Sequence, residues 1–395
     1  MTTTVNNEQK KLNVPNLRFK EFQGEWEMFT FDEIAQYKKG PFGSALKKDL
    51  FVPQSENAIK VYEQQNAIKK DWTLSRYYIT KDYFNAHMKQ FVAKAGDLIV
   101  SCAGTIGEVY ELPKDAEEGV FNQALMRVRV NNEVVNKEIF ITVFSSMIDK
   151  FSKIYSNGSA IKNIPPFADL KKTQVYLPCK EEQIVIAQLL RSLDERIATQ
   201  NKIIEDLKKL KSAISKKLLC NDKWTTCIIQ DIAEIGRGRV ISSVEIDRQK
   251  NPLYPVYSSQ TSNNGIMGYL DNYMFDGEYI TWTTDGANAG TVFYRKGKFN
   301  CTNVCGTLKI QSKFDCYFVS LVLQQATQKY VSSNLANPKL MNNTMASIKI
   351  RMPNIETQKQ LSKVFQTLDS CLLVHQRTCK MYQSEKQYLL RQMLI

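Results

Sequence analysis

Two stretches of the chain carry apolar residues at alternating steps of three and four, the spacing that places them along one side of an α-helix. In the first, Leu190, Leu193, Ile197, Ile204, Leu207, Ile214 and Leu218 form the stripe; in the second, 175 positions on, Phe365, Leu368, Leu372, Cys379, Tyr382, Leu389 and Met393 do. Polar residues interrupt both stripes at the same two places, Gln200/His375 and Lys211/Lys386. A helix from Glu181 to Leu219 would be roughly 58 Å long at ~1.5 Å per residue. Only another long helix covers a stripe of that length economically. Matched interruptions predict that the two helices pack on each other, and an internal two-fold requires them to run antiparallel with Gln200 near His375.

The residues between these stripes follow a different rhythm. Gly, Pro and Asn punctuate short runs rich in Val, Ile, Tyr and Phe, which read as strands. In the first half these are Asp97–Ser101, Leu125–Val130 and Gln174–Leu177, with an amphipathic helix over Glu138–Tyr155. In the second half they are Tyr279–Trp282, Thr291–Tyr294, Thr307–Ile310 and Ile348–Ile350, with a helix over Asp315–Val331. Trp26, Ile34-Ala35 and Gly40 are echoed 198 positions later by Trp224, Ile232-Ala233 and Gly238. The expected fold is α+β: two similar strand-rich mixed domains separated by two long antiparallel helices in a coiled coil, a dumbbell with a pseudo-two-fold repeat. The expected boundaries are a polar disordered lead over 1–16, a first domain over 17–177 and a first helical spacer over 178–220. A second domain over 221–352 and a second spacer over 353–395 complete the chain.

Composition sharpens the choice of partner. Of the 395 residues, 43% are hydrophobic and 24% charged, an ordinary globular balance. The formal charge of +13 is less ordinary and points either to a generally basic surface or to a polyanion. Duplex DNA is the commonest polyanion with two-fold symmetry. Nine cysteines without a Cys-x-x-Cys pair and only two histidines give no zinc site and fit reduced thiols in a cytoplasmic protein. No signal peptide or membrane span is expected.

A catalytic constellation is also missing from the sequence. There is no Gly-x4-Gly-Lys-Ser/Thr phosphate loop, and Gly236-Arg-Gly238 is a bare Gly-x-Gly fragment. In Asn163-Ile-Pro-Pro-Phe167 an isoleucine separates the asparagine from the prolines, unlike the Asn/Asp-Pro-Pro-Tyr/Phe of adenine methyltransferases, so a structural turn is expected.

Each long helix opens with Pro-x-x-Glu-x-Gln and continues to Leu-Asp: Leu177-Pro178, Glu181, Gln183, Leu193-Asp194, then Met352-Pro353, Glu356, Gln358, Leu368-Asp369. With the duplicated Trp and Ile-Ala domain openings, this layout resembles the specificity subunit of type I restriction-modification systems over nearly the whole chain. The resemblance implies two target recognition domains, each reading one half of a gapped, asymmetric DNA sequence. It implies spacers that set the gap and dock two DNA adenine methyltransferase subunits, with motor-nuclease restriction subunits joining these. It also implies a subunit without catalysis or cofactor of its own, S-adenosylmethionine, ATP and magnesium belonging to the partners.

Candidate contacts follow from loops that combine basic or amide side chains with flexible backbone. In the first domain these are Lys38, Lys39, Lys47 and Lys48 around Gly40–Ser44, and Asn157, Ser159 and Lys162. In the second they are Arg237, Arg239, Gln260, Asn263, Asn264, Arg295, Lys296, Asn337 and Lys339. Arginine pairs well with guanine, and asparagine or glutamine with adenine. For spacer packing and partner docking the candidates are Glu181, Gln183, Leu190, Leu193, Ile197, Ile204 and Leu207, with Glu356, Gln358, Phe365, Leu368, Leu372, Tyr382 and Leu389 in the second copy. Lys208, Lys209, Lys216 and Lys217 could face phosphates, a methyltransferase or solvent. The rival reading is a dumbbell-shaped protein-interaction scaffold without sequence-specific DNA binding, distinguishable by whether DNA affinity depends on sequence and salt.

Overall fold

The computed structural model describes residues 13–155, 166–219, 221–332 and 337–394, with no side-chain description for 152–155. The chain divides into two units, Met1–Ile197 with Lys380–Ile395, and Ala198–Cys379.

In the first unit an antiparallel sheet runs in the order Ala35–Lys39, Leu125–Val130, Leu98–Ser101 and Val109–Glu111. A second, mixed sheet runs Tyr77–Thr80, Ala58–Tyr62, Gly119–Phe121 and Val92–Ala93. A helix α1, Lys137–Tyr155, packs Phe140 and Phe144 against Phe31 with ring centroids 6.2 and 6.0 Å away. Glu27–Thr30 pairs with Gln174–Leu177, which delivers the chain to the long helix α2, Lys180–Leu218.

The second unit repeats this plan. Its main sheet runs Ala233–Arg237, Cys305–Ile310, Glu278–Thr283 and Val292–Lys296, beside a smaller sheet of Ile266–Leu270, Tyr254–Tyr257 and Asn300–Cys301. Thr225–Ile228 pairs with Lys349–Met352. Helix α3, Cys316–Ala326, starts at Asp315, whose carboxylate accepts the Phe318 N–H at 2.8 Å. It ends before the expected Val331, where a tighter 3-10 turn, Thr327–Tyr330, takes over. Helix α4, Ile355–Met393, begins and ends 175 positions after α2. The smaller sheet of the first unit has one further strand, Val92–Ala93, on Gly119–Phe121, which uses part of that unit's extra length.

The glutamine of the repeated motif has a structural reason to recur. Gln183 is 1% exposed and its Oε1 accepts the Asn136 N–H at 2.7 Å, at the start of α1. Its Nε2 donates to the Pro178 carbonyl at 2.9 Å and the Val134 carbonyl at 3.1 Å. Gln358 does the same work, accepting the Asp315 N–H at 3.0 Å at the start of α3 and donating to the Pro353 carbonyl at 2.8 Å. Each glutamine thus accepts an N–H at the start of the head's helix, where backbone donors lack intrahelical partners, and donates to the proline carbonyl just before its own long helix, tying the two together. Glu182, rather than Glu181, anchors the first helix: it is buried and takes two bonds from the Arg18 guanidinium at 2.8 and 2.7 Å. That pairing raises the Arg18 pKa above its ordinary value.

Both units also contain an antiparallel pair made from one part of each long helix. In the first, the Lys386 ammonium reaches both carboxylate oxygens of Asp194, at 2.6 and 2.8 Å. In the second, Lys211 pairs with Asp369, which also accepts the Tyr317 hydroxyl at 2.6 Å. Gln200 Oε1 lies 2.8 Å from His375 Nδ1, the meeting expected from the interrupted stripes. The apolar positions near the helix ends feed the head cores: Leu190, Leu389 and Met393 in one, Ile214, Phe365 and Leu368 in the other. One expected seam residue differs. Leu218 is 37% exposed, and Leu219, whose N–H still makes the helical bond to the Ser215 carbonyl at 3.0 Å, enters the second core in its place.

Replacing Gln183 by leucine would leave the Asn136 N–H and two carbonyls without their partner, and each unsatisfied buried group costs about 1–3 kcal/mol. Denaturant unfolding of Gln183→Leu should show at least about 1 kcal/mol of lost stability. A change too small to resolve would remove the clamp from the explanation of the motif.

Candidate nucleic-acid interface

The two heads present loops on the same scaffold. The strand Ala35–Lys39 and its counterpart Ala233–Arg237 each end in a cation followed by a glycine. The Gly40 N–H donates to the Leu125 carbonyl at 2.9 Å, and the Gly238 N–H to the Cys305 carbonyl at 3.1 Å. A Cβ on Gly40 would lie 1.9 Å from the Asn122 carbonyl oxygen, and one on Gly238 would lie 2.1 Å from that of Cys301. No side chain fits either place, so the roots of both loops are fixed against the neighbouring backbone.

A second pair of turns repeats in the same way. The Gly107 N–H donates to the Ser101 carbonyl and the Gly290 N–H to that of Thr283, both at 2.9 Å. Both glycines have positive φ and sit where a Cβ would strike Ile148 or Val331.

Around this scaffold the first head places Lys39, Lys47 and Lys48 in solvent. Lys38 is half-buried, donates to Gln90 Oε1 at 2.9 Å and lies over the Phe91 ring at 5.1 Å. The candidates Asn157, Ser159 and Lys162 lie outside the described residues.

In the second head several candidates are tied into a network. Arg237 donates to the Asn303 carbonyl at 2.6 Å, Thr284 Oγ1 at 2.8 Å and Asp285 Oδ2 at 3.2 Å. Lys339 sits 3.9 Å from the other Asp285 oxygen, and the Gly286 N–H donates to the Pro338 carbonyl at 3.0 Å. Two cations therefore share one carboxylate and leave a positive excess beside the Gly286–Gly290 turn. Asn337 is exposed next to this group. Arg239 is bound to both oxygens of Glu245, which raises its pKa. Asn263 and Asn264 are exposed in left-handed backbone, with φ of 48° and 53°, while Gln260 donates to the Ile266 carbonyl. Lys296 is exposed and paired with Glu278 at 3.1 Å.

Arg295 is a correction. Its side chain is 3% exposed, lies over the Tyr257 ring at 3.5 Å and the Phe293 ring at 4.4 Å, and donates to Thr281 Oγ1 at 3.2 Å. Burial pulls its pKa down to about 10. A guanidinium enclosed in this way holds the smaller sheet against the larger one and is not presented to a ligand.

The spacer candidates also separate by exposure. Glu181 and Glu356 are exposed. Gln183, Gln358, Leu190, Leu193 and Phe365 are buried, and Ile197, Ile204, Leu207, Leu368, Leu372, Tyr382 and Leu389 are half-buried along the helix seam. Among the described residues, no three His, Cys, Asp or Glu side chains come together in a way that could hold a metal ion. The described cysteines are free. No helix among the described residues is long and apolar enough to cross a membrane.

Residues that composition did not single out include Thr284 and Asp285, which organise Arg237 and Lys339. The Arg237–Asp285 contact spans 48 positions of sequence, which hides it from local composition.

Comparison with known proteins places the arrangement. A family profile described as the type I restriction modification DNA specificity domain matches residues 23–209 and again 221–380. The chain belongs to the family of type I restriction-modification specificity subunits. One relative, the type I specificity subunit S.MpnORF365P of Mycoplasma pneumoniae (strain ATCC 29342 / M129), is 36% identical over 220 residues, 54% of this chain and 81% of that protein. The specificity subunit of the type I restriction enzyme MpnII of the same organism is 42% identical over 146 residues, 36% of this chain and 43% of that protein. Among solved structures, the S subunit of a type I restriction-modification system from M. genitalium aligns with a TM-score of 0.64 at 18% identity, covering 97% of this chain and 99% of that one. A chain from a type I restriction-modification assembly aligns at 0.56 and 13% identity, covering 92% and 96%. At these identities the structures show the fold.

Gly40→Ala and Gly238→Ala should each destabilise the protein by about 1–3 kcal/mol, the usual range for overpacking. Gly43→Ala, whose Cβ would meet Gln123 Nε2 at an ordinary 3.8 Å, is the control. Thermal unfolding that fails to separate Gly40→Ala from Gly43→Ala would contradict the close-approach explanation.

Proposed function

We propose that each head reads one half of an asymmetric, gapped duplex target, and that the long helices set the unread gap and dock two adenine methyltransferase subunits. The observation that carries this reading is the repeated loop scaffold. Two heads share strand order, glycine-fixed loop roots and cationic strand ends, yet the loops differ in sequence: Lys39-Gly40-Pro41 in one, Arg237-Gly238-Arg239 in the other. A common scaffold with different loops suits two readers of different half-sites.

The physical steps follow from charge and hydrogen bonding. Lysines gain affinity by releasing phosphate counterions, without regard to sequence. Discrimination between bases comes from donors and acceptors aimed into the major groove. Of the candidates, Lys39, Lys47, Lys48, Asn263, Asn264 and Asn337 are exposed, as are Arg237, Arg239 and Lys296, but these last three and the half-buried Lys339 are already paired within the protein. Methyl transfer belongs to the docked subunits with S-adenosylmethionine. DNA translocation and cleavage belong to restriction subunits with ATP and magnesium. The assembly would work in the cytoplasm, where the DNA is.

Mapping methylated adenines across the host genome, with and without the gene for this chain, tests the reading. Deletion should erase one gapped, asymmetric motif. An unchanged map, with the chain and a methyltransferase partner both expressed, would favour the protein-interaction scaffold. Exchanging residues 224–351 for the corresponding domain of another specificity subunit should alter one half of the motif, and alteration of both halves would contradict two independent readers.

A further inference from the structure

Each head exposes a large apolar side chain at the same point of its loop. Phe42 is 89% exposed and Val240 is 71% exposed, and they stand at the positions that the 198-residue offset makes equivalent. Both come two residues after the glycine that fixes the loop root and three after the strand's terminal cation, Lys39 or Arg237. The neighbouring residues that turn inward do so in the same loops: Leu46 and Ile241 are 8% and 6% exposed. Phe42 and Val240 are thus the most exposed apolar side chains of these loops, Val244 following at 52%, while Leu46 and Ile241 are covered.

The surrounding charge says what could cover them. From Lys38 to Lys48 the first loop carries four lysines and no carboxylate. In the second, Arg237 and Arg239 precede Val240; Arg239 is answered by Glu245, while Arg237 and Lys339 share Asp285 and keep a net positive charge. An apolar tip on a loop of net positive charge suits a polyanion whose interior offers an apolar group. In duplex DNA the major groove supplies one such group, the C5-methyl of thymine. A wedge between base steps is the other apolar use of a side chain on DNA, but it favours Phe, Leu, Ile, Met or Pro and does not account for a valine at the equivalent place.

We propose that Phe42 and Val240 are specificity-determining residues, each packing on the C5-methyl of one thymine, one in each half-site. The assignment rests on the DNA-reading function proposed above. Lys39, Lys47 and Lys48 in the first head, and Arg237 with Lys339 in the second, approach neighbouring phosphates while the apolar tip meets the methyl group.

Selection from a pool of random duplexes by the full-length chain, as wild type, Phe42→Ala and Val240→Ala, tests the assignment. Both side chains are exposed, so the variants should unfold at the wild-type temperature. Wild type should select a motif with at least one thymine in each half. Phe42→Ala should lose the preference for thymine at one position of one half, and Val240→Ala at one position of the other, each by about tenfold. Replacing that thymine by deoxyuridine, which removes only the methyl group, should weaken wild type by a similar factor and leave the matching variant unaffected. Variants that select the wild-type motif, or that weaken on all sequences alike with wild type indifferent to deoxyuridine, would overturn the assignment while leaving the two-reader function in place. A wild-type chain that selects no motif at all would overturn both.

Discussion

The constraint on which the structure depends is the pairing of a lysine on one long helix with the aspartate of the Leu-Asp motif on the other. Lys386 meets Asp194 and Lys211 meets Asp369, and each pair is the other's image under the 175-residue repeat. A lysine at a seam position of a coiled coil is unfavourable unless its charge is answered, so it fixes register by tolerating one alignment. Antiparallel pairing brings each lysine opposite the aspartate of the partner helix; a slip by one turn would leave both charges against apolar neighbours. The partly exposed pairs add little stability by themselves. What they supply is selection among alignments.

With register set, the heads follow. Leu190 and Met393 enter one core, and Phe365 with Ile214 enters or packs on the other, so neither core is complete without turns from both long helices. Gln183 and Gln358 then fix the start of each long helix to the first turn of a head helix. The repeated Pro-x-x-Glu-x-Gln is in this sense a joint. Its proline ends a strand, its glutamine satisfies the backbone at two helix starts, and its glutamate faces solvent.

Much of this was legible in the sequence because a heptad stripe sustained over five turns or more has few interpretations, and duplication removed most of the rest. The meeting of Gln200 with His375 followed from symmetry. The strands bounded by Gly and Pro were also legible, as was the helix opening at Asp315. What failed did so for reasons of distance and pleat. Arg295 follows Tyr294 in a basic, flexible-looking stretch, but its strand turns it inward onto Tyr257, 38 positions away, while Lys296 faces out. Glu182 and Glu181 look alike in sequence, and only the approach of Arg18 from 164 positions away separates them. The close approach at Gly40 and Gly238 left a trace, the duplicated glycine, without its cause. Phe42 and Val240 left none that composition could reveal, since an exposed apolar residue in a loop reads as ordinary until its burial is measured.

The helix register is most directly tested by a cross-link at its centre. Gln200→Cys combined with His375→Cys should form an intrachain disulfide under mild oxidation, identified by mass spectrometry of the joined peptides. Gln200→Cys combined with Tyr382→Cys, two turns out of register, should not. Failure of the first pair to join within one chain, or equal joining of the second, would contradict antiparallel pairing in the register set by the lysines and aspartates.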